Sequence, residues 1–454
     1  MYNTIDMLLL IGFLLTLVFS GVHIAVSLGL ASMFGIYLMT EDFSAMLSFV
    51  SNTSYEAIRD YIFAVIPLFM LMGEFLAKSG AASDLFTLIN RSTRWLPGRL
   101  GVATVLANAV FAFVTGVSIA AAAAFSKIAY PEMRRHGYER KFALGCIAGS
   151  ACLGMLIPPS VLMIVWGVIT ELAIGKLFIA GIIPGFIVVA LYILYIFWVA
   201  KTQPHRVGEG DNLPLAQSIE RELNLDHTEQ DLTKILFSTL GIILLIVLVL
   251  GGIWLGFFTP TEGAGVGATL ALLLAIARGM KSKEMLESVI SVGRTTAPLL
   301  LLLVTAQLYS RVLSMTGITG AAKEYFLASG LSPYAILALM ICVWFILGAL
   351  IDSISIILIT VPVFGPIAVA LGFDPIAFAI IGILAIETGL LTPPFGILVF
   401  TVKAALPDEK NLRPGEIFYG SIPYWFALLT AILFIVFFPE VATWLPNLGN
   451  ETVS

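Results

Sequence analysis

Charge is scarce in this sequence: 12% of its 454 residues are Asp, Glu, Lys or Arg, against about 25% in a soluble domain. A surface so poor in charge cannot face water all round. With 59% hydrophobic residues and a mean hydropathy of +1.00, the chain reads as an all-α polytopic membrane protein. The alternation of apolar and polar residues that a membrane β-barrel needs is missing. Cysteine is nearly absent too. Cys146, Cys152 and Cys342 lie in apolar stretches without Cys-x-x-Cys spacing, so they read as packing residues and neither as disulfides nor as metal ligands. His23, His136, His205 and His227 are scattered, whereas an embedded enzyme would gather His, Cys or carboxylates at one depth. No enzyme activity, cofactor or nucleic-acid partner is expected. No Lys or Arg precedes the first apolar run, so no ordinary signal peptide is expected. There is also no Walker A segment, consistent with secondary transport.

What is present is one stretch written twice. Residues 118–160 run from Ser118-Ile119 through Pro131 and Gly137 to Gly154 and Pro158-Pro159; residues 353–395 run from Ser353-Ile354 through Pro366 and Gly372 to Gly389 and Pro393-Pro394. At a constant offset of 235, eight of 43 positions are identical, and five of the eight are Gly or Pro, the residues that set where a chain turns or breaks. Two copies of one broken-helix pattern suggest a transporter built from repeats.

The basic residues set the topology. An opening stretch, 5–39, is interrupted at Ser20-Gly21 and reads as two short spans; a polar interfacial segment (Ser51 to Asp60) and a span from Ile62 to Lys78 follow. Basic connections at 79–99 and 134–141 flank residues 100–130, which break at Thr115-Gly116-Val117-Ser118, so both ends of this segment lie on the cytoplasmic side. It is predicted to be a re-entrant hairpin. Residues 142–172 then cross, with a break at Ile157-Pro158-Pro159-Ser160, and 177–200 return. The first repeat is 1–200, a cytoplasmic linker is 201–233, and the second, inverted repeat is 234–454. That repeat holds spans at 234–257, 260–277 and 295–312, a hairpin at 333–367 broken near Gly348 to Ser353, a broken helix at 376–403, and a last span at 418–438. In the linker, Leu215 to Leu225 reads either as an amphipathic surface helix or as solvated chain. This topology puts 20 of the 24 Lys and Arg residues in cytoplasmic segments. Only Arg59, Lys176, Arg311 and Lys323 fall elsewhere.

A helix broken inside the membrane exposes N–H and C=O groups that lipid cannot satisfy, so a break lines a cavity or binds something. Unwound carbonyls with a Ser or Thr hydroxyl suit a bare Na⁺, and half-helix N-termini suit a carboxylate. Pairing each tip with the break in its own repeat predicts two Na⁺ sites. The first uses Thr115, Gly116, Ser118, Gly154 and Pro158; the second uses Gly348, Asp352, Ser353, Gly389 and Thr392. Between the tips, Ser118, Ser160, Asp352 and Ser353 would meet an anionic substrate. For each hydroxyl the alternative is a bond back to its own helix. Glu387 reads either as support for the second cation site or as a group facing a partner helix. Glu262 is placed to cap the helix that begins at Thr259-Pro260, and Glu74 with Lys78 makes an ordinary i,i+4 pair. No Lys or Arg sits at either tip.

Four stretches carry a family resemblance: Ile174 to Gly185 (IGKLFIAGIIPG), Phe258 to Glu262 (FTPTE), Leu156 to Ser160 (LIPPS) and Leu391 to Gly396 (LTPPFG). Over nearly the whole chain, from about 5 to 440, the sequence resembles the large membrane subunit of the tripartite ATP-independent periplasmic (TRAP) transporters. The resemblance implies an elevator with a scaffold and a moving transport domain, in the ion-transporter superfamily and the bacterial inner membrane. It also implies Na⁺-coupled import of an organic acid such as a dicarboxylate, a soluble periplasmic binding protein, and a small four-helix membrane subunit. No such helices precede residue 5, so a separate small subunit is expected. The alternative is a stand-alone Na⁺/carboxylate symporter of the same superfamily. The first tip departs from the family pattern: it reads Thr-Gly-Val-Ser where a Ser-richer run is usual, which bears on ion or substrate preference.

Overall fold

The structure, a computed structural model, describes residues 4–209, 229–409 and 411–451. These residues are almost entirely helical; an isolated β-bridge between Tyr138 and Val207 ties the start of the linker to the loop after the first hairpin. Among the described residues, eight helices are long and apolar enough to cross a membrane. Large apolar side chains such as Phe186, Leu244 and Phe437 stand exposed on their outer faces, as a lipid-facing surface requires.

The apolar stretches break where Gly and Pro interrupt them. Arg99–Thr115 and Ser118–Arg135 form one helical hairpin, and Pro333–Gly348 and Ser353–Ala370 form another. The first broken helix runs as Arg140–Ala151, Leu153–Leu156 and Val161–Thr170; the second runs as Pro375–Gly389 and Ile397–Ala405. Pro131 and Pro366 behave differently from the other repeated Gly and Pro residues, because they sit inside the second hairpin arms, which continue past them. Gly137 and Gly372, with φ of +76° and +88°, make the turns that follow. Proline is tolerated in such arms because packed neighbours can satisfy the freed carbonyl.

Close helix packing centres on the broken helices. Of the most apolar 18-residue stretch within Arg140–Thr170, 89% is buried, against 39% for Pro260–Ala277. Arg140–Ala151 packs on Pro414–Phe437 so closely that a Cβ on Gly145 would overlap the carbonyl of Gly420. Small residues allow backbones to approach in this way without a hydrophobic driving force. Around this centre, Val65–Lys78 packs on Pro260–Ala277, and Ile24–Thr40 packs on Ser282–Met315.

Several elements differ from the sequence-based expectation. The connection 79–99 contains a helix, Ala81–Ser92, and another helix, Ile318–Ala328, occupies the corresponding place before the second hairpin. The polar segment Ser51 to Asp60 is the end of a longer helix, Phe43–Arg59, capped by Asp42, which accepts from the Ser44 N–H at 2.8 Å. The span expected at 295–312 is the end of a 34-residue helix, Ser282–Met315, about 51 Å long at 1.5 Å per residue. Its first turns carry Lys283 and Glu284, and its length exceeds the roughly 30 Å of a bilayer's hydrocarbon core. A final helix, Glu440–Glu451, follows the last span. The linker segment Leu215 to Leu225 lies outside the described residues. Of the basic residues left out of the cytoplasmic set, Arg311 pairs with Glu56 at 2.8 Å and donates to the Thr53 hydroxyl at 3.3 Å, joining two helices.

Candidate functional site

Each hairpin tip rests on the break of the helix that follows it. At the first tip, Thr115 ends one arm, Gly116 turns the chain at φ +60°, and Ser118 opens the next arm. The Gly116 carbonyl accepts from the Val161 N–H at 3.2 Å, and a Cβ on Gly116 would run into the Pro159 carbonyl oxygen. A Cβ on Gly154 would lie 2.9 Å from the backbone nitrogen of Ser118. Tip and break therefore meet backbone to backbone, and only glycine fits. Pro158 lies in the break, with its bond to Pro159 in cis. Ser160 accepts from the Met163 N–H at 3.4 Å and donates to the Met155 carbonyl, and Thr115 donates to the Phe111 carbonyl at 3.1 Å. These two hydroxyls serve their own backbone.

The second tip is built alike. A Cβ on Gly348 would lie 2.7 Å from the Cα of Gly389, and the reverse contact is equally short. Asp352 caps the arm Ser353–Ala370: Oδ1 accepts from the Ser355 N–H at 3.0 Å, and Oδ2 accepts from the Ser355 hydroxyl. Its side chain is thus the N-cap of a half-helix. Glu262 does complete a capping box with Thr259, and Lys78 pairs with Glu74 at 3.4 Å. Thr392 donates to the Thr388 carbonyl and accepts from the Trp425 indole N–H, both at 3.0 Å.

Between the tips stands Glu387, 1% exposed. Its Oε2 accepts from the Ser118 hydroxyl at 2.6 Å and its Oε1 from the Ser353 hydroxyl at 3.1 Å. One carboxylate therefore clasps both tips. Ser118 and Ser353 occupy the same position under the 235-residue offset, and each opens a helix whose N-terminal end carries partial positive charge. Cys152 is the offset counterpart of Glu387, and its thiol lies 3.6 Å from the Glu387 carbonyl oxygen. An acid within the apolar run Ala385 to Gly389 was the available signal for this residue. Its reach to Ser118, 269 residues upstream, was not visible in the sequence.

Beside the clasp lies a cavity of about 210 Å³, whose lining includes Ser118, Ile119, Asp352 and Ser353 from the two tips together with Met70 and Leu299. Thr295 adds a further hydroxyl. No Lys, Arg or His is among its described lining residues. Any anion there must rely on the two helix N-termini, on hydroxyls or on accompanying cations. Of the residues expected at the sites, the structure groups Gly116, Ser118, Gly154 and Pro158 at one tip and Gly348, Ser353 and Gly389 at the other. Thr115, Ser160 and Thr392 are adjacent but turned into bonds with neighbouring backbone.

Comparison with known proteins bears on this arrangement. The family model for the tripartite ATP-independent periplasmic transporter, DctM component, matches residues 11–441. The chain is 34% identical to the C4-dicarboxylate TRAP transporter large permease protein DctM of Pseudomonas aeruginosa, over 93% of this chain and 94% of that protein. It is 27% identical to the sialic acid TRAP transporter large permease protein SiaM of Vibrio cholerae, over 96% of this chain and 97% of that one. The fold is similar to that of Neisseria gonorrhoeae MtrF, described as illuminating a class of antimetabolite efflux pumps; the TM-score is 0.59 at 13% identity, covering 90% of this chain and 85% of the other. With broken helices, paired hairpins and a family match along nearly its whole length, the chain is a multi-pass inner-membrane protein that belongs to the DctM-component family of TRAP transporters.

Proposed function

We propose that the chain is the large permease subunit of a tripartite importer that carries a small organic acid inward with Na⁺. The observation that carries this reading is the meeting of both hairpin tips at one buried carboxylate, beside a cavity of about 210 Å³. Two helix N-termini contribute about half a positive charge each. With Glu387 ionised, the pair of tips is close to neutral, and a substrate carboxylate entering beside them adds uncompensated negative charge to a low-dielectric site. Cations bound at the two tips supply the missing charge. This is a physical reason for coupling anion uptake to Na⁺ in a cavity with no lysine or arginine among its described lining residues. Backbone carbonyls on the unwound chain at the two breaks are of the kind that takes that role. The relatives named for C4-dicarboxylate and sialic acid transport support an organic acid as the cargo. A small membrane subunit and a periplasmic binding protein are the partners this reading requires.

The test is reconstituted uptake of radiolabelled organic acids under an inward Na⁺ gradient, with and without the binding protein and the small subunit. Uptake that needs Na⁺ and all three components supports the tripartite reading and identifies the substrate. Uptake by this chain alone would overturn it in favour of a stand-alone symporter. Uptake indifferent to Na⁺ would remove the coupling ion.

A further inference from the structure

The linker that leaves the first repeat is fastened before it departs. After Ile174–Thr202, residues 204–209 fold back on the base of the first hairpin, at the end that the basic loops assign to the cytoplasm. Val207 bridges Tyr138 in antiparallel register, and both side chains are buried. In that register Arg206 faces Glu139. The Glu139 N–H donates to the Arg206 carbonyl at 2.9 Å, and Arg206 Nε donates to the Glu139 carboxylate. The Arg206 guanidinium also lies over the Phe142 ring, 5.8 Å from its centroid. A Cβ on Gly208 (φ +69°) would overlap the His136 carbonyl oxygen, so the chain lies backbone against backbone. Glu209 then reaches the other arm. Its Oε1 accepts from the Gly98 N–H at 2.6 Å, at the start of Arg99–Thr115. A capping box makes this bond from within its own helix; here it comes from 111 residues away. The Tyr138 hydroxyl accepts from the Leu100 N–H at 3.1 Å.

The second hairpin is not built so. Its ends, 329–334 and 371–374, meet in a ring contact between Tyr334 and Phe373, 5.8 Å between centroids. Among the described residues no hydrogen bond joins these ends, and Ser332 and Asp374 cap their own helices. What the linker controls in the first hairpin lies at the far end of the arm. Arg99–Thr115 has 17 residues and is about 25 Å long. Along such a lever a tilt of about 2° at the base moves the tip by about 1 Å. That displacement breaks the 2.6 Å bond from Ser118 to Glu387 and undoes the fit of Gly116 against the Pro159 carbonyl. We propose that residues 204–209 are a strap that stays closed through the transport cycle and keeps the first hairpin rigid. Arg206 and Glu209 act as positioning residues for Gly116 and Ser118 at its tip. Rocking about the base is left to the second hairpin. The proposal rests on the reading of the two tips as the transport site.

The experiment exchanges the ion pair of the strap for a reversible covalent bond. Glu139→Cys/Arg206→Cys is made in a full-length chain carrying Cys342→Ala, since Cys146 and Cys152 are buried. Residues directly opposite in an antiparallel register lie within disulfide reach. Two readouts are taken in proteoliposomes: hydrogen–deuterium exchange along the backbone, and Na⁺-driven uptake with the binding protein and small subunit added. In the reduced form, exchange at the first tip (112–120) and the Na⁺ concentration for half-maximal uptake should both rise severalfold. Oxidation should return both to the values of the Cys342→Ala parent, and exchange at Asp352 and Ser353 should not change in either form. Glu209→Ala should speed exchange at the first tip about fivefold, the equivalent of one lost cap. Glu209→Gln, which keeps an acceptor for Gly98, should restore most of it. Loss of uptake on oxidation would show that the strap has to open, and would overturn the proposal. Faster exchange confined to 98–102, with the tip unchanged in both the reduced pair and Glu209→Ala, would reduce the strap to local structure and overturn it too. Wild-type uptake indifferent to Na⁺ would refute the transport reading while leaving the exchange result standing, so the two failures are distinguishable.

Discussion

Replacing Glu387 with Gln should uncouple the two hairpin tips while leaving the space between them filled. In the wild type the carboxylate accepts from Ser118 at 2.6 Å and from Ser353 at 3.1 Å and is 1% exposed. A hydrogen bond to a charged group contributes about 1.5–3 kcal/mol, and a neutral one about 0.5–1.5 kcal/mol. The amide of Gln can accept from one serine and donate to the other, so neither hydroxyl is orphaned. The loss is therefore about 1 kcal/mol per bond, or roughly 2 kcal/mol for the brace, with the carboxylate charge removed as well. At about 1.4 kcal/mol per tenfold change, that is roughly 30-fold in any equilibrium that depends on both tips being joined. Reconstituted Na⁺-driven uptake of Glu387→Gln should require a much higher Na⁺ concentration for half-maximal rate, and its maximal rate should fall. A double-mutant cycle makes the argument sharper. Ser118→Ala and Ser353→Ala should each impair uptake in the wild type and should matter less, by about 1 kcal/mol each, once Glu387 is Gln, which holds both hydroxyls more weakly. If Glu387→Gln transports with a Na⁺ dependence within twofold of wild type, the brace plays no part in coupling. If the two serine effects add within about 0.5 kcal/mol in both backgrounds, they do not act through one carboxylate.

Asp352→Asn keeps an effective N-cap but removes charge at the mouth of the cavity, so uptake should be abolished or severely slowed with protein still folded in the membrane; wild-type-like transport would take Asp352 out of the mechanism. Ser118→Ala and Thr392→Ala should both raise the Na⁺ concentration for half-maximal uptake, and an unchanged dependence in the two variants together would refute the paired-site reading. Thr392→Ala also orphans the Trp425 indole N–H, costing about 1–3 kcal/mol, so Thr392→Ser should restore the apparent melting temperature that the alanine variant lowers. Gly348→Ala places a methyl group 2.7 Å from the Gly389 Cα. Overpacking of this kind costs about 1–3 kcal/mol, and a variant with unaltered thermal stability and uptake would show that this contact opens readily.

Much of this molecule was legible in its sequence, because the signals concerned are local. Scarcity of charge decides that most surface faces lipid. Gly and Pro mark the breaks at Gly116 and Pro158 and at Pro393, since φ range and the missing N–H act on the residue itself. The capping box at Thr259 and Glu262 is likewise contained within four residues. Local rules also misread some places. Pro131 and Pro366 stay within helices because packing outweighs an intrinsic helix-breaking tendency, and Ala81–Ser92 is a helix inside what its charges mark as a connection.

The direction of each polar side chain was decided elsewhere. By composition alone Ser118, Ser160, Ser353 and Thr392 are equivalent candidates, yet Ser160 and Thr392 bond to nearby backbone while Ser118 and Ser353 turn to one carboxylate. Asp352, the more conspicuous acid, caps its own helix. Glu387 acquires its place because packing brings residues 269 positions apart into contact, and periodicity and propensity carry no information about such a contact. Sequence therefore determined where the helices stop. The tertiary structure determined which of the exposed ends face each other, because that depends on the burial of every helix around them.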